Sequence, residues 1–344
     1  MLLDLAYLSY PLPPDIQRLY EAGDFARMER VIRQRLDDPR VPEALKARLR
    51  VQLDMAYEIP RAYPYTQAQM LEILQSKVKD FKEEELETLR DDGTLDWRYV
   101  DGEVRFKNNA PSALLKTRAE YAARATDPAV LSGAKESTEQ LNAMIAKMKA
   151  NGGVRARFEL HEELTIQSDR LTEGETLRIH LPMPIVGAQV KSAALLSASH
   201  PVSFLAPEDE PQRTIYFELP YEPGMTVSAE VAYEIDAPYQ QPHAREVYAE
   251  QPVFDTEELP PHVVFTPYLR ALAKEIVGDE TNALLKARKI YDFITTQAVY
   301  RFMPPYLTVT NIPEYFLSGL RGDCGVQAIT FVTLCRLCGV PAQW

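Results

Sequence analysis

The sequence predicts a multidomain α+β protein, with a helical region, an antiparallel β-sandwich and then a mixed helix-and-strand segment. Three observations predict it. Apolar residues recur at helical spacing through residues 15–150 and switch to alternation over 154–236, and helical spacing returns from Tyr268. The run Asn151-Gly152-Gly153 stops the first pattern, and a Pro-rich aperiodic stretch, 237–267, separates the second from the third. The expected divisions are 1–152, 153–240 and 241–344.

In the first region Leu19, Phe25, Met28, Val31, Ile32 and Leu36 mark one helical stretch. Leu45, Leu49, Leu53 and Tyr57 mark another, expected to end at Pro60, and Met70, Leu71, Leu74, Val78 and Phe81 form a third apolar face. The acidic Glu83-Glu84-Glu85 reads as a solvated helix face. The segment 97–106 alternates on either side of Asp101-Gly102, a hairpin signal. Asp127-Pro128 looks like an N-cap with proline in the first helical position. Ser137 with Gln140 forms a capping-box pattern ahead of Leu141, Met144, Ile145 and Met148.

In the second region Val154, Ala156, Phe158 and Leu160 alternate with Arg155, Arg157, Glu159 and His161. Leu177, Ile179 and Leu181 do the same, as do Ile215, Phe217 and Leu219, and the residues from Val227 to Ile235. Short strands broken by Pro, Gly and Asp predict an antiparallel sandwich with one face wet. After the Pro-rich stretch, Leu269, Leu272, Ala273 and Ile276 give one helix, and Leu284, Leu285, Ile290, Tyr291 and Ile294 a second.

The 344 residues carry 38 Lys+Arg against 50 Asp+Glu, a net charge of −12. Residues 1–150 hold 23 basic and 25 acidic side chains, and residues 151–344 hold 15 and 25. Neither part offers the basic stripe that neutralises phosphates, so nucleic acid and anionic membrane are not expected partners. No apolar run reaches the ~18 residues of a membrane span. The apolar stretch Leu2 to Tyr10 lacks a basic flank and carries Asp4, which argues against a signal peptide. Three cysteines, an odd number, fit a reducing compartment, and the cytoplasm is the expected location.

The informative segment is 319–342. Gly322 permits a close backbone approach, Asp323 is a good N-cap, and Cys324 then occupies the first helical turn. Ala328, Phe331, Val332, Cys335 and Cys338 follow at steps of three or four, Gly339 stops the helix and Pro341 prevents its continuation. A helix N-terminus favours a thiolate, and its orphan N–H groups can donate to an oxyanion during acyl transfer. Asp323 partly opposes the thiolate by charge. On composition alone, a buried structural cysteine is the commoner case.

Gly322-Asp323-Cys324, a helix, and then Arg336-Leu337-Cys338-Gly339-Val340-Pro341-Ala342 resemble the nucleophile segment of the transglutaminase-like superfamily. Ile290, Tyr291, Ile294 and Tyr300 look like the preceding helix and aromatic turn of the same core, so the likeness spans about 268–344. The 154–236 sheet also resembles the β-rich domain that often precedes such cores in bacterial proteins. Gln343 stands where the family commonly has arginine. The resemblance implies a partial papain-like α+β core in 241–344, with Cys324 as catalytic nucleophile and no cofactor or metal. It also implies Cys-dependent acyl transfer or hydrolysis on an amide in a protein or peptide substrate. Hydrolysis is favoured over cross-linking, because water needs no dedicated amine site.

The family's His and Asp follow the cysteine, whereas His161, His180, His200, His243 and His262 all precede it. The chain is therefore expected to be truncated before them and inactive alone, with activity in a longer parent. The alternative is a non-catalytic protein- or peptide-binding scaffold that retains a degenerate core. Other constellations are weaker. Cys335 and Cys338 form a CxxC at a helix C-terminus, where the dipole opposes a thiolate, and read as small buried hydrophobes. His262 is expected to bond to backbone in its loop, and Tyr300 and Tyr306 read as packing residues that could also line the cleft.

Overall fold

The structure is a computed structural model that describes residues 5–248 and 250–343. The start of the Leu2–Tyr10 run lies outside the described residues, as does Trp344. The chain divides into two compact units, Met1–Ala134 with His243–Trp344, and Lys135–Pro242.

In the first unit, helices α1 (Pro14–Ala22), α2 (Phe25–Asp37) and α3 (Glu43–Ala62) bury Ile16, Phe25, Met28, Ile32, Leu49, Met55 and Ile59 in one core. α3 does not stop at Pro60: the proline sits in the last turn and the helix runs on to Ala62. Its buried side chains are Arg48, Leu49, Val51, Gln52, Met55, Ala56, Ile59 and Ala62. Leu45 and Leu53 are only partly buried, so the packed face is rotated from the one the apolar spacing suggested.

A short strand β1 (Tyr65–Thr66) leads into α4 (Gln67–Lys77), which opens on a complete Thr66–Gln69 capping box, and α5 (Glu83–Asp91) follows. The predicted hairpin is strands β2 (Trp97–Val100) and β3 (Glu103–Phe106), and β1 joins β3 to make a three-stranded sheet. Asp101 and Gly102 both have positive φ, as a two-residue hairpin turn requires. Asp101 N–H donates to Gly23 O at 2.7 Å, and a side chain at Gly23 would collide with the Tyr99 carbonyl, which fixes the hairpin against the end of α1. Helices α6 (Ala110–Thr117) and α7 (Ala119–Ala122) close a second core around Met70, Leu74, Leu86, Leu89, Leu95 and Phe106.

Helix α8 (Ala129–Asn151) starts where Asp127-Pro128 predicts, with Asp127 Oδ1 accepting from Ala129 N–H at 2.8 Å. Ser137 does not begin a helix. It lies inside α8, and Gln140 instead donates to the Glu136 carboxylate. Leu141, Met144 and Ile145 are exposed.

The second unit is the expected sandwich. Strands β4 (Gly153–Thr165), β5 (Thr176–Pro182), β6 (Val190–Ala198), β7 (Phe204–Leu205), β8 (Thr214–Pro220) and β9 (Thr226–Pro238) form two antiparallel sheets, ordered β4-β9-β6 and β5-β8-β7. Ile179, Leu181, Ile215, Phe217, Val227, Ala229 and Val231 fill the core at alternate positions, as period two dictates. β4 is an edge strand. Leu160 and Leu164, which pair with buried Val231 and Val227, are themselves exposed.

Back in the first unit, α9 (Pro267–Val277) and α10 (Ala283–Gln297) appear as the spacing predicts, and strand β10 (Val299–Tyr300) follows. Helix α11 (Ile312–Gly319), strand β11 (Arg321–Gly322) and helix α12 (Cys324–Leu337) complete the chain. Leu269, Ala273, Ile290, Ile294, Phe316, Val326 and Leu334 make their common core. Among the described residues no helix is long and apolar enough to cross a membrane.

Candidate active site

Cys324 is the first residue of α12, and local sequence places it there. α11 ends as Leu320 takes a left-handed conformation, with its N–H bonded to Phe316 O at 2.6 Å. The chain then runs through β11, which pairs in parallel with β10: Val299 N–H donates to Leu320 O at 2.9 Å and Arg301 N–H to Gly322 O at 3.1 Å. Gly322 has no room for a side chain, since a Cβ would lie 2.8 Å from Phe316 Cδ2 and 3.0 Å from Val326 Cγ1. Asp323 is the N-cap, its Oδ1 accepting from Val326 N–H at 3.1 Å.

Tyr306 completes this turn. Its hydroxyl donates to the same Asp323 Oδ1 at 2.7 Å. Burial and the neighbouring Asp323 raise the Tyr306 phenol well above the usual tyrosine range, so it remains a donor. A Cβ at Gly325 would collide with that hydroxyl, which explains glycine one residue after the cysteine. Cys324 is exposed. The N–H groups of Cys324 and Gly325 have no acceptor among the described residues, as expected at a helix N-terminus. They are the donors that could receive an oxyanion beside the sulfur.

The other two thiols are different in kind. Cys335 is 1% exposed, and burial pushes its thiol up to about 12. Cys338, half-buried at the C-terminal end, is also raised by burial. Gly339, at positive φ, ends the helix as predicted, and Val340 N–H returns to Cys335 O at 2.9 Å. The helix is covered on more than one side: Val326, Thr330, Val332, Thr333, Leu334 and Cys335 are buried while Ala328 is exposed, so the expected apolar stripe through Ala328 does not describe its packing. Arg336 reaches beyond the helix, donating through Nε to Ala342 O at 2.7 Å and through Nη1 to Glu257 O at 3.1 Å, and so ties the terminal turn to the Pro-rich stretch.

The helices of 1–134, which carried no motif, brace the cysteine turn. Arg321 Nη2 donates to Asp92 O at 2.7 Å. Arg301, whose backbone pairs with Gly322, sends its guanidinium to Tyr315 Oη at 2.7 Å and lies 3.8 Å from the carboxylate of Asp96. Tyr63 Oη donates to Asp96 at 3.0 Å. Burial raises the Asp96 carboxyl, and Arg301 opposes the rise. Lys107, buried beside Asp96, donates from Nζ to Asn109 Oδ1 at 2.7 Å. Sequence reasoning missed this cluster, since each member reads singly as an ordinary surface charge.

His161, His180 and His200 belong to the sandwich unit, where His180 meets Thr214 and His200 meets Ser199. His262 is not bonded to backbone through its ring as expected: Nδ1 is buried with no partner among the described residues, and burial lowers its pKa. Tyr300 packs edge-on against Phe302 under the Lys116 ammonium. Among the described residues no group of His, Cys, Asp and Glu is arranged to hold a metal.

No curated protein matches the chain. The crystal structure of a proposed cysteine protease from Cytophaga hutchinsonii is similar over 55% of this chain and 67% of its own, at 18% identity and a TM-score of 0.39. The family model described as the transglutaminase-like superfamily matches residues 270–344, the stretch that carries α10, the β10–β11 pair and the Cys324 helix. Residues 270–344 are thus similar to the transglutaminase-like superfamily.

Proposed function

We propose that Cys324 is the nucleophile of a Cys-dependent acyl transfer or hydrolysis on an amide of a peptide or protein substrate. The observation that carries this is its place: an exposed thiol on the first turn of a 14-residue helix, beside two N–H groups without acceptors among the described residues. In the reaction the sulfur bonds to the carbonyl carbon and the carbonyl oxygen becomes an oxyanion, held by the Cys324 and Gly325 N–H groups. The thiol gives up its proton as the sulfur attacks, and the departing amine takes a proton as the C–N bond breaks. Water then cleaves the thioester to acid and thiol. Water needs no built acceptor site, which favours hydrolysis over cross-linking.

Acylation tests the nucleophile without requiring the whole cycle. p-Nitrophenyl acetate should acetylate Cys324, with p-nitrophenol released and the mass increment located by peptide mapping. Cys324→Ser should lose that adduct. An adduct on Cys335 or Cys338, or an equal yield from Cys324→Ser, would overturn the assignment.

A further inference from the structure

We propose that a second site of this unit, a cavity of about 620 Å³, binds the carboxylate of an amino-acid derivative or short peptide through Arg98. The cavity is lined by Tyr20, Tyr63, Arg98, Tyr268, Glu314 and Tyr315 among others, all in the first compact unit. Its volume lies in the range of small-molecule sites.

The four tyrosines are already committed through their hydroxyls. Tyr20 donates to Thr308 O at 3.0 Å, Tyr63 to Asp96 at 3.0 Å and Tyr268 to Leu317 O at 3.1 Å, and Tyr315 accepts from Arg301 at 2.7 Å. Their rings are therefore held as walls, and their hydroxyls are not the primary ligand groups. Arg98 is the contrary case. Its guanidinium carbon lies 5.2 Å from the Tyr20 ring centre, 5.1 Å from Phe25 and 5.9 Å from Tyr63, so the rings fix it in place. Its Nε is buried without a partner, and its remaining N–H groups meet no acceptor among the described residues. A guanidinium so held, with its donors unused, lacks an acceptor that bonds to a planar fork.

Charge narrows the ligand. The nearby buried Asp96 takes its hydrogen bond from Tyr63 and is shared electrostatically among Arg301, Lys107 and Arg98, so no carboxylate is hydrogen-bonded to the Arg98 fork among the described residues. One guanidinium suits one carboxylate, bound through two parallel hydrogen bonds. Glu314 on the wall repels a dianion and offers a partner to a cationic group elsewhere on the ligand. Tyrosine rings on several sides suit an aromatic or apolar side chain. The site does not depend on the chemistry of Cys324.

The test is titration of the full chain with N-acetyl-tyrosine at millimolar concentration, followed by NMR shifts or calorimetry, in parallel with N-acetyl-tyrosine amide and inorganic phosphate. The acid should bind saturably. The amide, which lacks the charge, should bind about tenfold more weakly or not at all, and phosphate more weakly than the acid. Arg98→Met should lose the acid by a similar factor, with an unchanged circular dichroism spectrum. Should that variant not fold, Glu314→Gln serves instead, and it should bind the acid at least as tightly as the parent. The proposal is overturned if the acid does not saturate, if acid and amide bind alike, if phosphate binds more tightly, or if folded Arg98→Met or Glu314→Gln behaves otherwise. None of these outcomes bears on acylation of Cys324.

Discussion

Tyr306 Oη and the Val326 N–H both donate to one oxygen of Asp323, at 2.7 and 3.1 Å. One carboxylate oxygen therefore caps the helix and anchors the loop that lies over it. The carboxylate closest in sequence to Cys324 is thus tied into the turn by these two bonds, while the thiol itself is exposed.

Asp323→Ala should cost about 1–2 kcal/mol, the usual loss for an N-cap. Asp323→Asn should cost less, because asparagine also caps and still accepts from Tyr306. Urea unfolding of the two variants checks the order, and equal losses would show that the capping oxygen is not what matters.

Gly325→Ala should destabilise the chain although alanine is the better helix former by about 1 kcal/mol. The added methyl meets the Tyr306 hydroxyl. In a Tyr306→Phe background the same change should become neutral or stabilising. A thermal-melting double-mutant cycle reads this directly, and additive effects would contradict the contact.

Asp96→Ala should cost roughly 3–5 kcal/mol, the penalty for leaving a buried partner charge unpaired. Arg301 would lose its carboxylate and Tyr63 its acceptor. Because Arg301 N–H also holds Gly322 O, the variant should loosen the cysteine turn, seen as faster amide exchange at Arg301. Slow exchange at Arg301 in a destabilised variant would show that the cluster does not brace the turn.

The parts of the fold that were legible are those written in neighbouring residues. Period two announced the sandwich because β5, β8 and β9 bury alternate side chains. Asp101-Gly102 announced a hairpin because two positive φ values are needed there. The capping of α12 by Asp323 and its stop at Gly339 are equally local. What could not be read joins residues far apart in the chain. Tyr20 meets Thr308, Gly93 meets Arg301 and Asp92 meets Arg321, and such separations leave no spacing pattern. The Ser137 capping pattern misled for a related reason: α8 had already been started by Asp127, and a good cap residue inside a running helix has no orphan N–H to satisfy. Pro60 misled because a proline near the end of a helix removes one hydrogen bond without halting the last turn.

The most direct measurement is the alkylation rate of each cysteine in the folded chain by iodoacetamide at neutral pH, read by peptide mass spectrometry over time. Cys324 is exposed at a helix N-terminus, whereas Cys335 is buried with its thiol pushed up to about 12 and Cys338 is half-buried at the opposite end. Cys324 should therefore be labelled first, with Cys335 reacting only on unfolding, and Cys324→Ser should leave the folded chain without a fast-reacting thiol. Faster labelling of Cys335 or Cys338 in the folded chain would contradict the assignment of Cys324 as the nucleophile.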